Sequence, residues 1–317
     1  MRSVLVLCLS AALVCALSAS ARTSSGNPVA LVTAEQQNEL LAVGLPSGKV
    51  LRRVSVPADP QNVAAAPGAV VVVSTRAGAV TLLDWRTLKT LKVFRGFGSP
   101  HLAAISPYGK WAYVTDDARG QLDVLALGTR RLLSHVFVGA GAHHLTLSPR
   151  GLRAWIALGE HASEISIVDL TRPDRPRLIR RFSPGFIAHD LTFSPDARRV
   201  WVTSGTSDSV YALDARTARP IFRVRVGAAP QHVAFNRGFA FVTSGYSNRI
   251  VKVDSRTGRV VATTTTPHGS FNLSTERSLV VTSSLLDGSV TEFDTNLRRL
   301  MSVHVARAAR GVALTLW

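Results

Sequence analysis

LTFSPDARRVWVTS, residues 191–204, carries the pattern from which the fold of this chain is read. A short apolar run, Leu191–Phe193, meets a Ser-Pro turn, and a second run, Val200–Thr203, follows it. Two β-rich runs around a turn signal mark an antiparallel strand pair. The same cassette recurs as AAISPYGKWAYVTD at 103–116 and LTLSPRGLRAWIAL at 145–158. Weaker copies are VAAAPGAVVVVST at 63–75, VAFNRGFAFVTS at 233–244 and LSTERSLVVTS at 273–283. Their first apolar positions are Val63, Ala103, Leu145, Leu191, Val233 and Leu273, and Val312 continues the series. The intervals are 40, 42, 46, 42, 40 and 39 residues, the period of a four-stranded propeller blade.

Each repeat supplies four runs. In the repeat that opens at Leu191 the third and fourth are Val210–Leu213 and Ile221–Val226, with turn residues such as Asp214-Ala215-Arg216-Thr217 between them. The chain ends settle the count. Residues 29–56 match strands two to four of a repeat and lack the first, while 311–317 match a first strand alone. Six complete repeats plus these two pieces make seven. The expected fold is all-β, a seven-bladed β-propeller forming one domain over 28–317. The C-terminal strand closes the ring against the N-terminal three, which removes an open sheet edge.

Tyr113-Val114-Thr115-Asp116, Trp201-Val202-Thr203-Ser204 and Phe241-Val242-Thr243-Ser244 stand between Ser-Pro-x-Gly and Val-Asp-x-x-Thr signatures. In this they resemble YVTN-type β-propeller repeats, over nearly the whole of the chain beyond its first segment. The resemblance implies the propeller fold and an exported protein. Related propellers include haem-d1 and copper-cluster domains, lactonases and lyases. This chain has neither the seven-histidine copper set nor a c-type haem motif, so those two activities do not carry over.

The N-terminus reads MRSVLVLCLSAALVCALSASARTSS. One charge, Arg2, precedes an apolar run of 14 residues from Val4 to Leu17, and Ala19-Ser20-Ala21 follows. That is the layout of a secretory signal cut after Ala21, and the run is shorter than the roughly 20 residues of a spanning helix. Residues 22–27 then form a short linker, and the expected product is exported: secreted, periplasmic or bound at the cell envelope. Both cysteines, Cys8 and Cys15, fall inside the signal, so cleavage leaves no thiolate for a metal or a nucleophile.

Repetition separates structure from function. Asp84, Asp169, Asp214, Asp254 and Asp294 recur where a third strand ends, with Thr87, Thr217 and Thr257 three positions on. A short carboxylate there accepts backbone N–H groups across a turn, a role needed in every blade. The innermost strands also share a small residue: Ala64, Ala104, Thr146, Thr192, Ala234, Ser274 and Ala313. Seven strands converge there, so small side chains are expected to face the axis.

Two positions earlier the column reads Asn62, Leu102, His144, Asp190, His232, Asn272 and Gly311. The position before it adds His101, His143 and His189, which gathers five of the nine histidines at one end of the axis. This channel mouth is the candidate ligand site. Within it His144, Asp190 and His232 are the candidate ligands of a divalent metal, since imidazole and carboxylate together suit such an ion. The other candidates, Asn62, His101, His143, His189 and Asn272, are read as lining or second-sphere groups, and polar side chains at a channel mouth also serve simply to hold water.

The formal charge is +17, carried by 32 Arg and five Lys against 20 acids. Arginines gather at the outermost strands, as in Arg52-Arg53, Arg130-Arg131, Arg180-Arg181 and Arg298-Arg299. Acids such as Glu39, Asp117, Glu160, Glu164 and Asp208 fall in loops between second and third strands. Export and the absence of an aromatic-interleaved basic motif argue against nucleic acid. No phosphate loop or nucleophile elbow is present. The expected function is therefore a binding or scaffolding module, a monomer whose partner is a protein, a polymer or a small molecule. The alternatives are a lactonase-like, metal-assisted hydrolase or lyase at the channel mouth, and a binder of anionic envelope polymers through the arginine belt.

Overall fold

Seven four-stranded antiparallel sheets form the ring. The computed structural model describes residues 26–159 and 163–317. The expected signal segment, the first four residues of the expected linker and Glu160 lie outside these described residues. Among the described residues no helix is long and apolar enough to cross a membrane.

In the first blade the strands Pro28–Ala34, Glu39–Gly44 and Val50–Ser55 are joined on the inside by Ala309–Leu316. The register Val29↔Thr315, Ala30↔Leu314 and Leu31↔Ala313 closes the ring. Asn27 and Trp317 exchange backbone hydrogen bonds at 2.7 and 3.0 Å, and the Trp317 indole N–H donates to the Trp85 carbonyl of the next blade at 3.0 Å. The remaining six blades follow in chain order.

Within each blade, burial explains composition. The second strand is sandwiched between neighbouring blades and reads as a continuous apolar run, as in Ala69–Ser74, where every residue is buried. Outermost strands are largely exposed, as in Val50–Ser55, where no residue is buried, and that setting tolerates arginine. Large aromatics fill the wedges between blades. Trp155 is fully buried with Phe182 and Phe193 edge-on to it, and Trp201 has Phe222 and Phe235. Burying a ring of this size contributes several kilocalories per mole, on the order of 3–5 by its loss on truncation.

Three repeated polar devices brace the ring, two within a blade and one between neighbouring blades. The turn aspartates behave as expected: Asp214 Oδ1 accepts from the N–H of Arg216 and Thr217 at 3.0 and 2.7 Å and from the Thr217 hydroxyl at 2.9 Å. Asp84 and Asp254 repeat the pattern. Outer-strand arginines then reach over to the neighbouring turn, Arg180 donating to the Thr217 carbonyl at 2.9 Å and Arg52 to that of Thr87. Part of the arginine excess is thus structural, and part is paired with the loop acids, as in Arg53–Glu39 at 3.0 Å and Arg223–Asp208 at 3.3 Å.

The small residues of the innermost strands do not simply face the axis. Blades stack face to face around it, so an inner strand turns its backbone edge to the channel and its side chains to its neighbours. Thr146 Oγ1 accepts from the Phe193 N–H at 3.3 Å, Thr192 donates to the Val233 carbonyl at 2.8 Å, and Ser274 accepts from the Leu314 N–H at 3.2 Å. Smallness there serves close approach of adjacent inner strands.

Candidate functional site

Where each inner strand leaves the mouth, its ladder is broken by a bulge. His189 and Asp190 together oppose Thr203, because the register passes from Ala188↔Ser204 to Leu191↔Val202. His101 and Leu102 likewise oppose Thr115. In the fourth blade His143 donates to the Ala157 carbonyl while Ala157 donates to that of His144, and in the sixth Gln231 and His232 share Thr243 in the same way. A regular strand would send such neighbours to opposite faces; a two-against-one bulge delivers both to one place.

In the third, fifth and sixth blades the threonine of the Val-Thr motif pins the bulge, whereas Ala157 stands at that place in the fourth. Thr203 accepts from the Asp190 N–H at 2.9 Å and donates to the Gln231 carbonyl of the next blade at 3.0 Å. Thr115 accepts from the Leu102 N–H at 3.2 Å and donates to the His143 carbonyl at 2.6 Å. Thr243 accepts from the His232 N–H and donates to the Phe271 carbonyl. The backbone of the site is therefore held by repeated hydroxyls that sequence reading took only as a strand-end signature.

A cavity of about 560 Å³ opens here, lined by all the candidate residues except Asp190, together with Gln61, Asp117, Gln231, Tyr246, Phe271 and Arg310. Asp190 lies beneath it, buried between two rings: its Oδ1 is 3.1 Å from His144 Nδ1, and its Oδ2 is 3.3 Å from His232 Nδ1 and 3.1 Å from the Val233 N–H. Both carboxylate oxygens are committed. The structure thus brings His144, Asp190 and His232 together, with Asp190 turned to the two rings and to a backbone amide. His189 joins the cluster, its ring centre 4.6 Å from that of His144. One ligand nitrogen each of His144, His189 and His232 lies within 4.8 Å of the others.

The remaining candidates divide. His101 stacks on His143 at 3.5 Å with 16° between the planes, and His143 Nδ1 meets Asp117 Oδ2 at 2.8 Å. Asn62 spends its Oδ1 on the Ala103 N–H at 3.1 Å, an inter-blade bond. Asn272 lines the cavity wall. Arg310, on the bulge of the first blade, pairs with Glu35 at 2.7 Å; it stands in the second column, from which sequence reading took only the histidines.

Electrostatics favour neutral imidazoles. Burial, then repulsion from His143, His144 and Arg310, holds His101 well below the ordinary histidine range. Burial does the same to His144 against the opposing pull of the Asp190 hydrogen bond. His189 is lowered to about 4, chiefly by burial and by His232. Burial alone would raise Asp190, but the imidazoles of His232 and His144 outweigh it and hold the carboxyl below the usual carboxylate range. An ionised Asp190 can only accept, so His144 carries its proton on Nδ1 and leaves Nε2 as a free lone pair.

On the opposite face a second cavity, of about 490 Å³, lies between the turns of the fourth and fifth blades and is lined by Arg150, Arg153, Arg198 and Arg216 with one acid, Asp214.

No protein-family model matches this chain, and no curated protein matches it in sequence. Solved structures do. A functionally unknown protein from Desulfotomaculum acetoxidans superposes with a TM-score of 0.80 at 14% identity, covering 90% of this chain and 98% of that one. Hydrazine synthase of Kuenenia stuttgartiensis gives 0.71 at 16%, covering 83% and 91%. Apo AztD from Citrobacter koseri gives 0.70 at 10%, covering 92% and 98%. At these identities the likeness is one of fold, the seven-bladed propeller.

Proposed function

We propose that this chain is an exported binding protein with YVTN-like repeats, which seats a small polar ligand in the histidine-lined cavity at its channel mouth. The observation that carries this reading is a break in symmetry. The two bulge columns bring His101, His143, His144, His189, Asp190 and His232 from four successive blades, whereas the other three blades supply Gln61, Asn62, Phe271, Asn272, Arg310 and Gly311. A packing requirement would recur around the whole ring, as the turn aspartates do. A one-sided cluster of polar groups converging on a cavity has the form of a ligand site. Its export is supported by the signal-like first 21 residues. Attachment to an anionic envelope polymer is a second reading, favoured by the four-arginine groove on the other face.

The test is thermal melting of the full mature chain against zinc chloride, inorganic phosphate, citrate and a neutral sugar, each repeated with His144→Ala. One chemical class is expected to raise the Tm of the native chain by several degrees and to lose that effect in the variant. Absence of any variant-sensitive shift across the set overturns the reading.

A further inference from the structure

We infer that the channel mouth is a one-ion site for a divalent transition metal, ligated by one nitrogen each of His144, His189 and His232 and oriented by Asp190. This rests on the binding reading above and names the ligand class of that cavity.

Three observations converge. The three rings come from three successive blades, yet their ligand nitrogens lie within 4.8 Å of one another, so bonds of about 2.1 Å to a common ion need adjustments of about an ångström. Two of the rings turn Nδ1 to the same buried carboxylate, at 3.1 and 3.3 Å, which selects the tautomer that presents Nε2. That is how ligating histidines are held in metal proteins: the far nitrogen bonds a carboxylate that fixes the ring and raises its basicity. Finally, Asp190 is itself anchored by the Val233 N–H at 3.1 Å and, through its own N–H, by Thr203 at 2.9 Å, so the orienting group is held in place without an ion.

The donor set decides the class of ion. Neutral imidazoles suit zinc, copper, nickel or iron, whereas calcium and magnesium require oxygen ligands. Three nitrogens leave at least one position of a tetrahedral ion facing the cavity, open to water or a further ligand.

Occupancy is one. His101, His143 and His144 form a second compact trio, but His144 has a single uncommitted nitrogen, so both trios cannot be filled together. The trio around Asp190 is the better site. Rings stacked at 3.5 Å and 16°, as His101 and His143 are, hold their in-plane lone pairs in two separate, near-parallel planes, which suits a common ion poorly.

The experiment is calorimetric titration of the full mature chain, without a polyhistidine tag, with zinc chloride, and separately with magnesium chloride. Metal content after dialysis is measured by elemental analysis, and circular dichroism confirms that each variant folds. One zinc per chain and no magnesium is the expected result. His189→Ala and His232→Ala should each weaken zinc binding at least 100-fold, Asp190→Asn should weaken it about 10–100-fold while keeping the stoichiometry, and His135→Ala, on an outer strand, should change nothing. Cobalt substitution supplies a second readout, an intense visible band from a four-coordinate ion. Loss of zinc binding in His101→Ala with its retention in His189→Ala overturns the ligand assignment. A native chain that takes up neither zinc nor cobalt overturns the metal inference; if phosphate or citrate still gives a His144-sensitive melting shift, the binding reading survives that failure.

Discussion

Two populations of aspartate in this ring behave as opposites. Asp84, Asp169, Asp214, Asp254 and Asp294 sit at the ends of third strands, near the surface, each accepting from the chain a few residues ahead. Asp190 occurs once, is almost wholly buried, and accepts from two imidazoles and a backbone amide of the two flanking blades. The first group satisfies local backbone donors that every blade exposes, so it repeats with the blade. The second answers a need that arises in one sector only. In a repeat protein, then, what recurs reports how a blade is built, and what departs from the recurrence reports where the ring does something further.

Breaking the recurrent part should have the largest effect. Deleting residues 311–317 leaves the N-terminal strands without their inner partner and reopens the ring, in which each blade leans on its neighbours. Differential scanning calorimetry is expected to lose the single cooperative transition of the full chain; an unchanged melting temperature would contradict strand-exchanged closure.

Asp123 sharpens the contrast because it is singular and buried like Asp190 but poorly satisfied. Its Oδ1 accepts from Gln121 at 2.9 Å and its Oδ2 has no partner. Burial pushes its carboxyl up to about 6, Asp116 pushes the same way, and Gln121, His135 and Arg119 only partly compensate. A folded-state value above the unfolded one means that the native state binds the extra proton, so stability falls as pH rises from about 4 to about 6 and the cost is complete above that. Asp123→Asn should therefore stabilise the protein by about 3 kcal/mol at pH 8, with the gain vanishing below about pH 4. A pH-independent difference in denaturant midpoints would refute this account.

The two populations can also be compared directly. Asp190→Ala strands the Val233 N–H and two ring N–H groups in a buried place and should cost about 1–3 kcal/mol. Asp214→Ala exposes its turn donors to water and should lower Tm by about 2 °C at most. Equal losses in paired urea titrations would erase the distinction between repeated and singular carboxylates.

Much of this molecule was legible from residues 191–204 and their copies. Blade number, strand order, the closing strand and the role of the turn aspartates all follow from local alternation and spacing, because burial on both faces of a blade imposes the same pattern seven times. The concentration of His101, His143, His144, His189 and His232 at one end of the axis was legible for the same reason, since equivalent positions in a repeat occupy equivalent places in a ring.

What the spacing could not decide was direction. Strict period two sends His189 and Asp190 to opposite faces, and only the inserted residue of the bulge, pinned by Thr203, brings both to the mouth. Whether Asp190 faces an ion or the rings that would hold one depends on the Val233 amide and on His232, 42 or 43 residues away in sequence. Sequence periodicity therefore determined which residues meet, because it is set by burial along each strand. The tertiary structure decided what each one offers on meeting, because that is set by hydrogen bonds between strands of different blades.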